Sequence, residues 1–406
     1  VTGQPSRRHT IAAGLAGLAA VGGVGACTRA LGDSDADKAA NPALEMCLPG
    51  PEHTAREFRG PRQAGIIEDP QSHGAFVALD LATTATRDTL RRILKVWTDD
   101  IERLMSGRPS LTDQEPELAA SPANLTVTVG VGPRTVAVAG ATAPAWLAPL
   151  PAFPSIDRLE PRWSGGDLLL QITADSPTTV HHAQRRLVSG TGDLAAVRWV
   201  QRGFRDPFET AKRPMRNLFG QVDGTVQPRT DGPDDARLWV GADGPEWLRD
   251  GSALVLRRIR MNLDTWDEAD RGTRENAVGR RLPDGSPLTA KAGSGPDVPS
   301  DLSATNSLGF PTIHEGAHIR RAAATAAHEV FLRRPYSYDD SVGSTSDAGL
   351  LFAAYCADPV RQFVPVQQRI ADGDLLNTWI TPVGSAVFAI LPGARDGEIL
   401  GQALVT

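Results

Sequence analysis

Two stretches of this chain carry side chains that could act together on one small molecule. Gly220-Gln221-Val222-Asp223-Gly224 offers a carboxylate on a tight turn, and Ala317-His318-Ile319-Arg320 offers an imidazole. Leu332-Arg333-Arg334 follows with a guanidinium pair. An imidazole can hold an iron, a carboxylate can carry a proton between two oxygens, and a guanidinium can stabilise negative charge as an O–O bond breaks. Together they make a minimal kit for haem-dependent peroxide chemistry. Each has a plainer reading: a helix-terminal His, an Asp-Gly turn and a solvated Arg pair.

A rival sits in the same stretch. His314-Glu315-Gly316-Ala317-His318 spells HExxH, the pattern of zinc hydrolases, in which both His lie on one helical face and the Glu acts as base. Pro311 just ahead, Gly316 inside the motif and the want of a third ligand at a usual spacing weigh against zinc. For a haem ligand, the second ring nitrogen needs an acceptor. Asp358 and Asp374 are the candidates, and spacing does not choose between them.

The elements that must position these groups form a repeated order. Gly74–Asp80 reads as a strand, and 86–105 as a helix with Leu90, Leu94, Trp97, Ile101 and Leu104 on one face. Strands at 125–130 and 166–172 follow, then a helix at 176–187 with Ser176 as N-cap, and a strand at 196–201. This β-α-β-β-α-β order is the ferredoxin-like unit. The second part shows strands at 252–259, 349–355 and 385–390 and helices at 262–277 and 359–370. The predicted fold class is α+β: two ferredoxin-like halves of the dimeric α+β barrel type, with antiparallel sheets and peripheral helices. The predicted divisions are a signal segment 1–27, an irregular arm or linker 28–70, an N-terminal domain 71–210 and a C-terminal domain 211–406. The polar Gly/Pro/Ser-rich loop from Gly279 to Phe310 is long enough to suggest a cover over a site.

The 406 residues, 41% apolar and 22% charged, read as globular. A net charge of −6 argues against a nucleic-acid partner. Arg7-Arg8 before the apolar Ile11–Ala26 stretch predicts a signal peptide of the twin-arginine type, hence export to an extracellular or cell-surface location. Val24-Gly25-Ala26-Cys27 is a candidate lipobox, with release after cleavage as the alternative. Of the three Cys, Cys356 reads as a core thiol, and Cys47 could pair with it only if the fold allowed.

Taken together, these blocks resemble the dye-decolourising peroxidase family, of the exported bacterial type. The matching pieces are Arg216 to Gly224 with its GxxDG signature, Leu263-Asp264-Thr265-Trp266-Asp267, Gly279-Arg280-Arg281, Ala317-His318-Ile319-Arg320, Leu332 to Tyr338 and Arg361 to Gln367. They fall in the right order over roughly 70–395. The resemblance implies one haem b per chain, with His318 as axial iron ligand, Asp223 as distal acid/base and Arg333 as distal arginine. Arg320 is expected to reach a haem propionate. The implied reaction oxidises dyes, phenols or other bulky aromatic reductants with hydrogen peroxide. A haem-binding or iron-delivery protein without turnover is the alternative, and a zinc hydrolase the remote one. Tyr336, Tyr338 and Tyr355 sit in or soon after the distal segment, where surface aromatics could pass electrons. Two departures stand out: Arg320-Arg321-Ala322-Ala323-Ala324 where Arg-x-Ala-Asn-Pro is usual, and Asn377-Thr378-Trp379 where Asn-Glu-Tyr is common.

Overall fold

The computed structural model describes residues 54–210, 214–223, 225–230, 232 and 235–406. The expected signal segment, Cys27, Cys47 and Gly224 lie outside them.

In the first half, strand β1 (His73–Leu81) leads to helix α1 (Arg87–Met105), whose first turn is capped by the Thr86 hydroxyl accepting from Thr89 N. Strand β2 (Thr126–Val131) and the short α2 (Pro133–Val138) follow, then β3 (Leu168–Ala174). Helix α3 (Pro177–Ser189), capped by Ser176, and β4 (Ala195–Phe204) complete it. The second half runs through α4 (Asp235–Leu238), β5 (Ser252–Met261), α5 (Leu263–Glu268), α6 (Arg271–Val278) and α7 (His318–Arg321). It then runs through β6 (Leu332–Arg333), β7 (Tyr336–Asp339), β8 (Ala348–Cys356), α8 (Pro359–Gln362), α9 (Val364–Gly373), β9 (Ile380–Ile390) and α10 (Gln402–Val405).

The halves share one sheet. β2-β3-β1-β4 and β9-β5-β8-β7 each have the ferredoxin-like strand order, and sparse rungs join them: Gly130 to Ile390, Val131 to Ala389 and Phe204 to Ser337. Because β5 also pairs with β8, eight strands close into a ring, with β6 alongside β8. The α+β class of two ferredoxin-like halves is therefore the observed one. Residues 54–70 form an irregular arm, but it is no free tether: Phe58, Ala64 and Ile66 are buried, and Arg62 pairs with Asp235 at 2.8 Å.

Period-two alternation sorts the strand side chains. Phe76, Leu254, Leu256, Leu351, Tyr355 and Phe388 pack inside the ring, while Ala75, Val77, Val255 and Val387 face outward. On the first half, α1 and α3 fill that outer face: Leu94, Trp97 and Ile101 are wholly buried, and Trp97 Nε1 donates to Leu187 O at 2.9 Å. Each such side chain contributes about 1.5–3 kcal/mol.

The second half covers the equivalent face differently. The predicted helix 262–277 is two short helices, because Asp270 caps a new one by accepting from Thr273 N at 3.0 Å. The predicted helix 359–370 is likewise split at Phe363. The short β6 and β7 were not anticipated, because Arg-Arg-Pro interrupts any strand pattern between them. Where the first half has a 19-residue helix, the second has pieces of six and eight residues. The face they leave uncovered is hollow.

Candidate active site

The hollow is a cavity of about 610 Å³. Ile259 and Met261 of β5 and Leu350 and Phe352 of β8 form its floor, and α7, α9 and the 279–310 loop close around it. As expected of a covering loop, that segment contributes Arg280, Pro299, Ser300 and Leu302 to the wall.

His318 is the first residue of α7 and faces the cavity. Its Nδ1 lies 2.5 Å from Asp374 Oδ2, so Asp374, not Asp358, is the acid behind the ring. Asp374 has no exposed side-chain surface, and its other oxygen accepts from Leu376 N at 2.8 Å as the cap of a 3₁₀ turn. A carboxylate so fixed holds the proton on Nδ1 and leaves Nε2 as a lone pair toward the cavity. The His318 side chain is 34% accessible to water, but that surface opens into the cavity within an otherwise enclosing protein wall. Burial lowers its pKa, while the Asp374 charge and hydrogen bond outweigh burial, so the net shift is upward. Asp358 instead caps α8, accepting from Val360 N and Arg361 N. The Asn377-Thr378-Trp379 triplet lacks a carboxylate, and Asp374, four residues before Thr378, supplies one.

Asp223 leaves a turn built by Asn217, whose side-chain oxygen accepts from Phe219 N and Gln221 N. Gly220 takes φ +74° there, a left-handed conformation that suits glycine. The Arg216–Val222 bridge closes the turn, and Asp223 N donates to Met215 O at 2.9 Å. Arg333 reaches the same cavity from β6. The strand alternation decides which Arg of the pair does so: Leu332 points into the ring, Arg333 outward, and Arg334 inward to the Gln71 side chain and the Glu68 carbonyl. Arg333 Nη1 is 3.9 Å from Asp223 Oδ1, and its Nη2 donates to the carbonyl of Thr225. Gln227 clasps the Arg333 backbone through both N and O. Burial lowers the Arg333 pKa and Asp223 opposes this. His318 feels both groups electrostatically across the cavity.

Other expectations fare differently. Arg320 does not line the cavity; its guanidinium is turned away to the Ile313 carbonyl. His314 and His318 do not share a helical face, because α7 starts only at His318 and His314 sits in the preceding turn, accepting from Gly316 N. Among the described residues no group of three His, Cys, Asp or Glu could hold a metal ion. The three Tyr are buried and so are not surface aromatics; Tyr338 lies under the Arg258 guanidinium, 3.6 Å from its ring centre. Cys356 is buried and free. Sequence reasoning missed Asn217, Gln227 and Glu329, none of which has a signal outside the folded context. Glu329 lines the cavity and accepts from Arg369 at 2.8 Å and from Thr325 N at 2.7 Å, pinning the 325–329 segment to α9.

The residues present fit a large, flat, partly anionic group with a metal at its centre. The walls are mainly aliphatic and aromatic, one imidazole is oriented to coordinate, and two buried donors of the lining, Gln221 Nε2 and Arg280 Nε, have no partner among the described residues. Comparison with known proteins agrees. The chain matches the families described as Dyp-type peroxidase, N-terminal, over residues 63–205 and Dyp-type peroxidase, C-terminal, over 214–395. It is 40% identical over 392 residues to the dye-decolorizing peroxidase of Thermobifida fusca (strain YX), covering 91% of this chain and 90% of that protein. It is 31% identical over 430 residues to a deferrochelatase of Escherichia coli O157:H7, covering 99% and 97%. The crystal structure of a DyP-type peroxidase from Cellulomonas bogoriensis superposes with a TM-score of 0.85 at 50% identity, covering 88% of this chain and 99% of that one.

Proposed function

This chain belongs to the DyP-type peroxidase family and is a haem b enzyme that uses hydrogen peroxide to oxidise a reductant, and from that premise we propose the roles of its residues. His318 Nε2 would hold the haem iron, and Asp374 keeps the imidazole oriented and electron-rich. Bound haem supplies the iron that takes up peroxide and stores its oxidising equivalents. Asp223 accepts the proton of peroxide's inner oxygen and returns it to the outer one, which leaves as water. Arg333, fixed by Thr225 O and by the Gln227 clasp, stabilises the negative charge that grows on the departing oxygen. The observation that carries this reading is the Asp223–Arg333 pair facing the same cavity as a carboxylate-held His318.

The preferred reductants are bulky aromatic dyes and phenols. A non-turnover haem-binding role is the second reading, favoured by the deferrochelatase relatives at about one-third identity. A purified sample should show a Soret band, change spectrum with one equivalent of peroxide, and then bleach an anthraquinone dye. Absence of a Soret band refutes both readings. A Soret band with no response to peroxide favours the second.

The proposed N-terminal and C-terminal domains are 71–210 and 211–406, with 28–70 as the arm. Export by the twin-arginine route through Arg7-Arg8 and lipidation at Cys27 complete the proposal, placing the enzyme outside the cell or on its surface. Replacing both arginines with lysine and fractionating cells tests the route, and the mass of the mature N-terminus tests the anchor.

A further inference from the structure

Of the arginines in the turn before Asp223, the covering loop and α7, Arg280 alone lines the cavity; Arg321 of α7 does not, and three others are absorbed by backbone carbonyls. Arg216 donates to Gly220, Leu282 and Pro283, and Arg281 to Pro287, Leu288 and Ala290. Arg320 donates to Ile313. Arg280 differs. It is 4% exposed and lines the cavity. Its bonds to the loop run through Nη1 alone, to Gly285 O at 2.7 Å and Pro296 O at 2.8 Å. Its Nε is buried with no hydrogen-bond partner, and no carboxylate lies within ion-pair distance of it among the described residues.

A cation buried this deeply is costly without an anion, and removing it from water gains nothing unless a partner arrives. Burial lowers the Arg280 pKa, the nearby Arg333 lowers it further, and Asp297 acts in the opposite sense. Arg333 shares the cavity but already has Asp223 beside it. The loop therefore engages Nη1 and leaves the Nε/Nη2 edge without a hydrogen bond among the described residues, at a residue that lines the cavity. Such an edge matches a carboxylate.

We propose that Arg280, and not Arg320, binds a carboxylate of the haem through the guanidinium edge that the 282–296 loop leaves open. The inference rests on the haem reading above. It also gives the covering loop a second purpose: it holds a cation in place for the cofactor by satisfying Nη1 in advance.

The test compares iron protoporphyrin IX with its dimethyl ester, which lacks the charge but keeps the ring and the iron. The full chain freed of haem is titrated with each, and saturation is read from the Soret band. The unaltered protein should bind the free acid more tightly than the diester. Arg280→Ala should weaken free-acid binding by about ten- to a hundredfold, the range for a hydrogen bond to a charged group, and leave diester binding as it was. Arg280→Lys, which retains a cation able to reach the loop carbonyls, should recover part of the loss and guards against mere collapse of the loop. The proposal is overturned if the unaltered protein does not distinguish the two ligands, or if Arg280→Ala weakens both equally. Failure of the unaltered protein to bind either one would instead refute the haem reading itself.

Discussion

Asp374→Asn is the most informative single perturbation, because the structure makes its consequences calculable. Asp374 uses both oxygens: one accepts from Leu376 N at 2.8 Å, and the other lies 2.5 Å from His318 Nδ1. Asparagine has the same shape but only one acceptor. If its carbonyl keeps the Leu376 cap, its NH₂ meets Nδ1, and the imidazole must move its proton to Nε2, where it cannot ligate a metal. If its carbonyl turns to His318, the buried Leu376 N–H loses its acceptor, at about 1–3 kcal/mol. The charge is lost in both cases. The carboxylate would lie about 6–7 Å from an iron bound to Nε2, so at an effective dielectric of 20 it favours ferric over ferrous haem by about 2–3 kcal/mol. Its removal should raise the one-electron reduction potential by about 90–130 mV. Haem affinity should fall about ten- to a hundredfold, the usual effect of losing a partner behind a ligand. Spectroelectrochemistry and Soret titration measure the two effects. A potential shift below about 20 mV, with unchanged affinity, would show that Asp374 does not act on the metal site and refute the proximal assignment.

The remaining expectations concern the other residues of the cavity. His318→Ala should abolish the Soret band while leaving far-ultraviolet circular dichroism intact, since His318 is placed by the start of α7 and not by core packing. Asp223→Asn should retain haem and cut peroxide turnover by about 10²–10⁴-fold, read by stopped-flow absorbance. Arg333→Leu should cut turnover by about 10²–10³-fold; an unchanged rate in either variant would remove that residue from the mechanism. Burial alone would raise the Glu329 pKa, but Arg369 and the Thr325 amide hold it at about 2. Its stabilisation is therefore complete above the ordinary carboxylate pKa and is lost progressively as pH falls from there through about 2. Glu329→Gln should accordingly lose haem at a higher pH than the unaltered protein in an acid titration, and coincident curves would dismiss the clamp. Glu315→Gln, together with a metal chelator, should leave turnover untouched, because the HExxH string is not on a helical face.

Much of this molecule could be read along the chain. The long amphipathic α1 and the capped α3 follow from side-chain period and from Thr86 and Ser176, because local spacing and capping are encoded within a few residues. The turn ahead of Asp223 is local as well, carried by the left-handed Gly220. The ordered blocks from Arg216 to Gln367 were enough to indicate the family and so the cofactor. Contacts between distant segments could not be read this way. The choice of Asp374 over Asp358 depends on where α9 ends against α7. The choice of Arg333 over Arg334 depends on the register of β6 against β8, because a one-residue slip turns every side chain to the other face. Arg320 and Arg280 are both plausible cations in the sequence, and only the paths of the 282–296 loop and the Ile313 turn decide that one is absorbed and the other left open to the cavity. The sequence determined which chemical groups are present and the local elements that carry them. The tertiary structure decided which of them meet, because hydrogen-bond partners across 56 residues, as between His318 and Asp374, are fixed by packing and not by spacing.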